Sequence, residues 1–307
     1  MQYEIWWRSM SIKETIGKKI REVREKKGLS REQLCDTEEE LTVRQLVRIE
    51  LGQSLPSIVK LEYIAKVLET DLGTLLAGES ITIPEEYFTM KYQLFKFPSY
   101  GDSERLAQKT QMIEDIYEKY FDVLTEEELF TLELLDNSLD YISTRKTAAA
   151  EDIFEDFFKQ LLTKKHYSFN DLLLAKYYAI QCQDKDYKEI TLQILETTIL
   201  QQDVSGDEYY NIELLGVLTA IAGVYLDHDL YYKLKALVVK MDDIISKTQQ
   251  YSIKPGLLMF EAKYYLYAEY DKKKAKECYD LAALLAQNFG DKVLEANIFS
   301  ERKKDQL

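Results

Sequence analysis

The 307-residue sequence is poor in the side chains that metal and nucleophile chemistry needs, with two histidines and three cysteines. Cys35, Cys182 and Cys278 show no CxxC spacing and are odd in number, so a disulfide scaffold is not expected and a reducing cytoplasm fits best. His166 and His228 lack the spacing of zinc ligands. Only 11 glycines and 4 prolines argue against a sandwich, a barrel or a glycine-rich nucleotide fold. No glycine-rich phosphate loop and no serine nucleophile elbow occurs. No catalytic residue, metal site or cofactor is therefore expected, and the chain does not read as an enzyme. The longest apolar run, Leu214 to Leu226, is closed by Glu213 and Asp227. It falls short of the roughly 20 residues a spanning helix needs, so no membrane association is expected. The first ten residues lack a basic region followed by an apolar one and do not read as a secretory signal.

What the chain has is charge, unevenly placed. Lysine and arginine number 40 against 54 aspartate and glutamate, a net charge of −14. Residues 1–76 carry 13 of each sign, so the whole excess lies beyond them. Within the neutral part, residues 11–35 hold eight basic and four acidic side chains. A locally basic module joined to a large acidic one is the expected arrangement. The boundaries read as an N-terminal extension over 1–10, a module over 11–76, a linker over 77–84, and a second region over 85–307.

The module reads as five short helices. The first runs from Ile12 to Lys27, with Ile16, Ile20 and Val23 as its apolar stripe and Gly28 placed to end it. Ser30 with Gln33, and Thr42 with Gln45, are capping boxes that open the second and third. Gly52 sits where the third should stop. Pro56 precedes a fourth helix carrying Leu61, Ile64, Ala65 and Leu68, and the fifth spans 72–76. Gly28-Leu29-Ser30, Gln33-Leu34, Val43 to Gly52, Pro56-Ser57 and Ile64-Ala65 are ordered anchors over about 55 residues. Together they resemble the helix-turn-helix of phage-repressor-type regulators. Asp36-Thr37-Glu38-Glu39-Glu40 departs from the small neutral turn of that pattern.

The resemblance implies that the third helix enters the major groove. Val43, Leu46 and Ile49 face the module's core, leaving Arg44, Gln45 and Arg48 on the opposite side. Arginine pairs bidentately with guanine and glutamine with adenine, each worth about 1–3 kcal/mol of discrimination. Thr42, Arg31 and Gln33 stand at helix starts, where exposed N–H groups favour phosphate. Two modules on a palindromic duplex would read enough base pairs for selectivity.

Beyond Ser103 the pattern is helical throughout, with expected helices at 103–122, 126–143, 149–164, 168–183, 187–201, 207–226, 230–248, 256–270, 272–288 and 291–303. Short loops between them read as stacked helix pairs. Ala275, Tyr279 and Ala282 match the core of a tetratricopeptide second helix. Gly216 and Gly223 would let the helix at 207–226 approach a neighbour closely. The fold class is therefore all-α, a phage-repressor-type helix-turn-helix followed by a degenerate tetratricopeptide array. Tyrosine pairs at 177–178, 209–210, 231–232 and 264–265 suit either bulky repeat cores or a groove for a peptide.

This combination resembles the Rgg-type regulators of the RNPP group, and within it the regulators of streptococcal competence. Glu40 to Glu50, Leu55-Pro56-Ser57, Ile81-Thr82-Ile83-Pro84, Lys96-Phe97-Pro98 and Tyr209-Tyr210-Asn211-Ile212 carry the likeness. The resemblance implies a cytoplasmic quorum-sensing transcription regulator. A short imported hydrophobic peptide pheromone, containing adjacent tryptophans, would enter the array and release an autoinhibited monomer. The protein would then form a homodimer on palindromic double-stranded DNA and activate competence promoters. The alternative keeps the repeats as a peptide-regulated scaffold acting on a protein partner.

Two sites follow as expectations. An autoinhibitory latch would pair Arg44 with Glu126 or Glu128, hiding the DNA-reading face, although Thr125 and Glu128 also read as a capping box. For the peptide, Lys109 would neutralise a carboxylate, Asn137 and Asn211 would bond its backbone, and Phe169, Leu173 and Tyr177 would wall the pocket. Trp6 and Trp7, the only tryptophans, precede the region of resemblance.

Overall fold

A computed structural model describes residues 11–79, 82–145, 157–183 and 189–307. Residues 1–10, including Trp6 and Trp7, lie outside them. All regular structure among the described residues is helical, apart from one isolated bridge between Leu55 and Thr125. The chain divides into two compact units that are not consecutive in sequence. The first takes the described residues up to Gln93 together with Gln111–Glu133, and the second takes Leu94–Thr110 with those from Leu134 onward.

In the first unit, α1 (Ile12–Lys26), α2 (Arg31–Cys35), α3 (Val43–Glu50), α4 (Ile58–Val67) and α5 (Leu72–Leu76) form the N-terminal module. Their starts are chemically defined. Ser11 with Glu14, Ser30 with Gln33 and Thr42 with Gln45 each make both bonds of a capping box. Glu38, one of the acids in the departing turn, also accepts the Val43 backbone N–H at 3.2 Å. That carboxylate thus satisfies an orphan donor of α3 and favours the positive end of its dipole. Gly28 and Gly52 adopt φ of +70° and +67°, which ends α1 and α3 in the left-handed region. Ile16, Ile20, Leu34, Leu46, Ile49, Leu61 and Ile64 close the core. Each contributes about 1.5–3 kcal/mol by leaving water. Gly17 permits the approach of α1 to α3, since a Cβ there would lie 2.0 Å from the Ile49 carbonyl oxygen.

Three longer helices follow: α6 (Glu85–Lys96), α7 (Ser103–Tyr120) and α8 (Glu126–Thr144). Pro84 precedes α6 and Pro98 follows it, as the fixed φ and missing N–H of proline require. Residues 157–161 are helical; the rest of the helix expected over 149–164 begins outside the described residues. Then come α9 (Phe169–Gln181), α10 (Glu189–Leu200), α11 (Glu208–Asp227), α12 (Leu234–Thr248), α13 (Lys254–Tyr267), α14 (Lys272–Asn288) and α15 (Lys292–Lys304). Two starts differ from expectation. Short 3-10 turns at Tyr231–Lys233 and Tyr251–Ile253 precede α12 and α13, and Pro255 falls in the first turn of α13.

Within the second unit, α9 packs on α11, α12 on α13, α13 on α14 and α14 on α15. Ala275, Tyr279 and Ala282 are fully buried, the small-large-small face that lets α14 sit against α13. Asp305 closes the last turn by accepting from Lys263 (2.8 Å), Tyr267 (2.8 Å) and Tyr279 (2.6 Å). On α11, Gly216 and Gly223 leave room for side chains seven residues apart on the α9 side. Lys176 crosses the first to reach Glu213 at 2.8 Å, and Gln183 crosses the second to reach the Ala220 carbonyl at 3.3 Å. Helix α11 is long and apolar enough to cross a bilayer, but most of that stretch is buried within the protein.

Candidate nucleic-acid interface and ligand cavity

The six residues expected at DNA lie on or beside α2 and α3. Arg44 is exposed and pairs with no acidic side chain among the described residues. The Gln45 side chain accepts the Thr42 N–H at 3.0 Å, and Thr42 Oγ1 accepts the Gln45 N–H at 3.2 Å. Gln33 is engaged in the same way with Ser30. Arg31 donates to Glu50 at 2.8 Å, and Arg24 donates to both oxygens of that carboxylate at 2.5 and 3.0 Å. Glu50 is completely buried, so two arginines hold one desolvated anion and fix the end of α3 against α1 and α2. Arg31 therefore has a structural partner that the sequence reading did not anticipate.

The first turns of α8 belong to this same unit and face the module. Lys60, on α4, donates to Glu126 at 3.1 Å. The Glu126 backbone N–H also bonds the Leu55 carbonyl at 2.5 Å. Arg48 reaches Glu133 at 3.5 Å. Glu128 accepts from Tyr87 and from Lys91, the latter at 2.7 Å, and its backbone N–H bonds Thr125 Oγ1 at 3.4 Å, one of the two bonds of the expected capping box. The structure does not bring Arg44 to Glu126 or Glu128. Arg44 stands on the outer face of α3, and the α8 carboxylate that reaches this helix, Glu133, meets Arg48 one turn later. A second hold comes from α1, where Lys13 donates to the Phe121 carbonyl at 2.6 Å and lies 4.0 Å over its ring. Burial raises the Glu126 carboxyl above the usual range, and Lys60 and Arg48 only partly offset this.

Lys60, Lys13 and Glu133 were missed because their partners lie 66, 108 and 85 residues away. One signal was available. Lys60 shares the helical face of Ile64, so a cation stood on a stripe that was otherwise core.

The second unit contains a cavity of about 560 Å³. Phe95, Ile212, Met241, Leu257, Phe260 and Leu294 form its apolar walls. At its polar edge, Asp291 is held by Arg105 at 2.8 Å. None of the six residues expected at the peptide lines it, but Phe169 packs on the wall residue Phe95 with centroids 5.2 Å apart. Tyr209 joins the same cluster at 5.6 Å from Phe95. Leu173 and Tyr177 are buried in the packing of α9, and Asn137 is half-buried on α8. Asn211 is committed elsewhere, since its amide both accepts from and donates to the Ser205 backbone at 2.8 Å. That ring holds the turn before α11. Lys109 stands near the Lys176–Glu213 pair. Burial lowers its ammonium to about 8, Lys176 adds to the effect and Glu213 opposes it.

The ComR tetratricopeptide family model matches residues 84–302. The chain belongs to the ComR family. A helix-turn-helix model matches residues 20–75. Solved ComR structures agree over nearly the full length. The apo form of the competence regulator ComR from Streptococcus vestibularis is 43% identical, covers 97% of this chain and 100% of its own, and superposes with a TM-score of 0.84. ComR from S. thermophilus, in complex with DNA and its signalling peptide ComS, is 41% identical over 95% of this chain and 100% of its own, with a TM-score of 0.72. The S. vestibularis ComR bound to its cognate signalling peptide XIP is 42% identical over 96% and 99%, with a TM-score of 0.71. No curated protein sequence matches the chain.

Proposed function

We propose that this protein is a peptide-activated transcription regulator of the cytoplasm, without catalytic activity. It would bind a short hydrophobic peptide in the helical array and, as a dimer, palindromic promoter DNA. The observation that carries the reading is the state of α3. Its core face is packed and its outer face presents Arg44, while Arg48 is turned to Glu133 and the module is pinned through Lys60 and Glu126. A groove-reading helix held by carboxylates is what an inhibited DNA-binding module needs. The complexes of the ComR relatives with DNA and with signalling peptides supply the two ligands.

Physically, the carboxylates compete with DNA phosphates for the same cations. Release must separate the buried Lys60–Glu126 pair, and the rehydration of both charges offsets part of the attraction lost. A ligand that turns a 1:99 equilibrium into 99:1 must favour the open form by about 5.5 kcal/mol. Burial of an apolar peptide supplies energy of that order, and we assign Lys109 as the partner of its carboxylate. Helix α8 gives a covalent route, because its Glu126 to Glu133 segment counts with the first unit and its remainder with the second.

Selection of binding sites from a random duplex pool, with and without a synthetic Trp-Trp peptide, tests the proposal. A palindromic motif enriched only with peptide supports it. Failure to enrich any sequence in either arm would sink it.

A further inference from the structure

The residues that line the cavity of the second unit differ sharply in exposure. Met241 and Leu257 are fully buried and form its floor, whereas Tyr100 and Phe289 are 38% and 48% exposed and stand at its mouth. Tyr100 belongs to the turn between α6 and α7, where it and Gly101 adopt φ of +50° and +73°. Two successive left-handed residues, one of them with a full side chain, need support from their surroundings. That support is polar and comes from the other end of the sequence. Arg105 donates to both Asp291 oxygens, at 2.8 and 3.1 Å, and to the Pro98 carbonyl at 3.3 Å. Asn297, on α15, donates to the Tyr100 carbonyl at 3.3 Å. Helix α15 itself packs on α13 and α14, not along α6 or α7. The turn is therefore tied to α15 by a few hydrogen bonds at the cavity mouth.

We infer that the turn over 98–102 is a flap at the cavity mouth, and that the Arg105–Asp291 pair is the clasp that sets how often it opens. The inference rests on the peptide-receptor reading for the ligand, and on the geometry of the mouth for the device. A bidentate arginine–carboxylate pair fixes the closed position in direction as well as distance. Its two side chains keep 20% and 17% of their exposure, so water takes over the hydrogen bonds as they part. An apolar seal would instead hold by burial and would yield only with loss of packing. Arg105 acts through Asp291 and the Pro98 carbonyl, and is a positioning residue. The device governs rates rather than affinity. Free and occupied forms close the same clasp, so weakening it speeds entry and exit alike and leaves their ratio unchanged.

Asp291→Asn removes the charge but keeps an acceptor for the Leu294 N–H that it caps, so α15 retains its start. Stopped-flow fluorescence on the full-length protein, with a synthetic dansyl-labelled Trp-Trp peptide, reads the rates. Association and dissociation should each become about tenfold faster in this variant, at an unchanged dissociation constant. Asn297→Ala should speed both by a smaller factor. The Asp102 and Arg105 amides, bonded within the turn, should exchange hydrogen faster in Asp291→Asn while those of α13 keep their protection. Unchanged rates in both variants would overturn the clasp. Faster dissociation alone would make Asp291 a ligand contact and overturn the gate. If Asp291→Asn loses protection throughout the unit, Asn297→Ala decides, and unchanged rates there overturn the clasp equally. A protein that binds no peptide loses the gate together with the peptide-receptor reading. If exchange obeys the clasp while DNA binding proves independent of peptide, the proposed function fails and the gate stands.

Discussion

Lys60 Nζ lies 3.1 Å from the Glu126 carboxylate, with the two side chains only 7% and 3% exposed. Charges so far from water interact strongly and tolerate reversal poorly. The Glu126→Lys variant would set two cations against each other between α4 and α8. It should bind promoter DNA without peptide. Adding Lys60→Glu should restore peptide dependence, because the pair is re-formed with opposite polarity. A mobility-shift comparison of the single and double variants reads both outcomes.

Lys109 makes a pH-dependent prediction. Its ammonium is lowered to about 8 by burial, so it is charged at neutral pH and loses its proton as pH rises through that value. Affinity for an N-acetylated peptide with a free C-terminal carboxylate should therefore fall above pH 8. The Lys109→Met protein should bind more weakly and show no such fall. The stability effect has the opposite sign. Between about 8 and the ordinary lysine value the unfolded chain binds more protons than the folded one, so this group's penalty on folding is relieved as pH rises. Isothermal titrations across pH 6.5–9.5 check the binding half, and chemical denaturation over the same range checks the other.

Gly17 makes a packing prediction. A Cβ at this position meets the Ile49 backbone at 2.0 Å, and backbone cannot swing aside. Gly17→Ala should destabilise the N-terminal module by about 1–3 kcal/mol or more. Gly223→Ala is the contrast, because the 2.3 Å contact there is with the far end of the Gln183 side chain. It should cost much less. Thermal unfolding of the two variants separates them.

The local chemistry of this fold was legible in the sequence, and the long-range pairings were not. Ser30 with Gln33 and Thr42 with Gln45 announced helix starts because a capping box is made within four residues. Gly28 and Gly52 announced helix ends because the left-handed region tolerates glycine. Ala275, Tyr279 and Ala282 announced a packed repeat face because helical spacing puts them together. Lys60 and Glu126 gave no such local sign, since their meeting depends on how α4 and α8 fold onto one another. Arg31 looked like a phosphate ligand because its place at a helix start is local, whereas its bond to Glu50 is not. Arg105 and Asp291 could not be paired at all, because they lie 186 residues apart and only the packing of the array closes that distance.

Arg44 and Arg48 separate DNA reading from restraint. Arg44→Ala should weaken binding to the cognate duplex by about 1–3 kcal/mol if the side chain reads a base. If it holds a phosphate instead, the salt slope should fall by about 1 and the loss should be similar on unrelated duplexes. If Arg48 contacts DNA, Arg48→Ala removes that contact and the Glu133 pair together. It should therefore lose affinity in the peptide-bound state while also loosening the peptide-free one. Anisotropy titrations at several salt concentrations distinguish these cases.

The most direct test of restraint and release is a mobility shift on a competence-type promoter fragment, with and without a synthetic Trp-Trp pheromone, with light scattering on the same samples. The account predicts a monomer that leaves the fragment unshifted alone, and a dimer that shifts it once peptide is added. A protein that shifts the fragment equally well without peptide would contradict it.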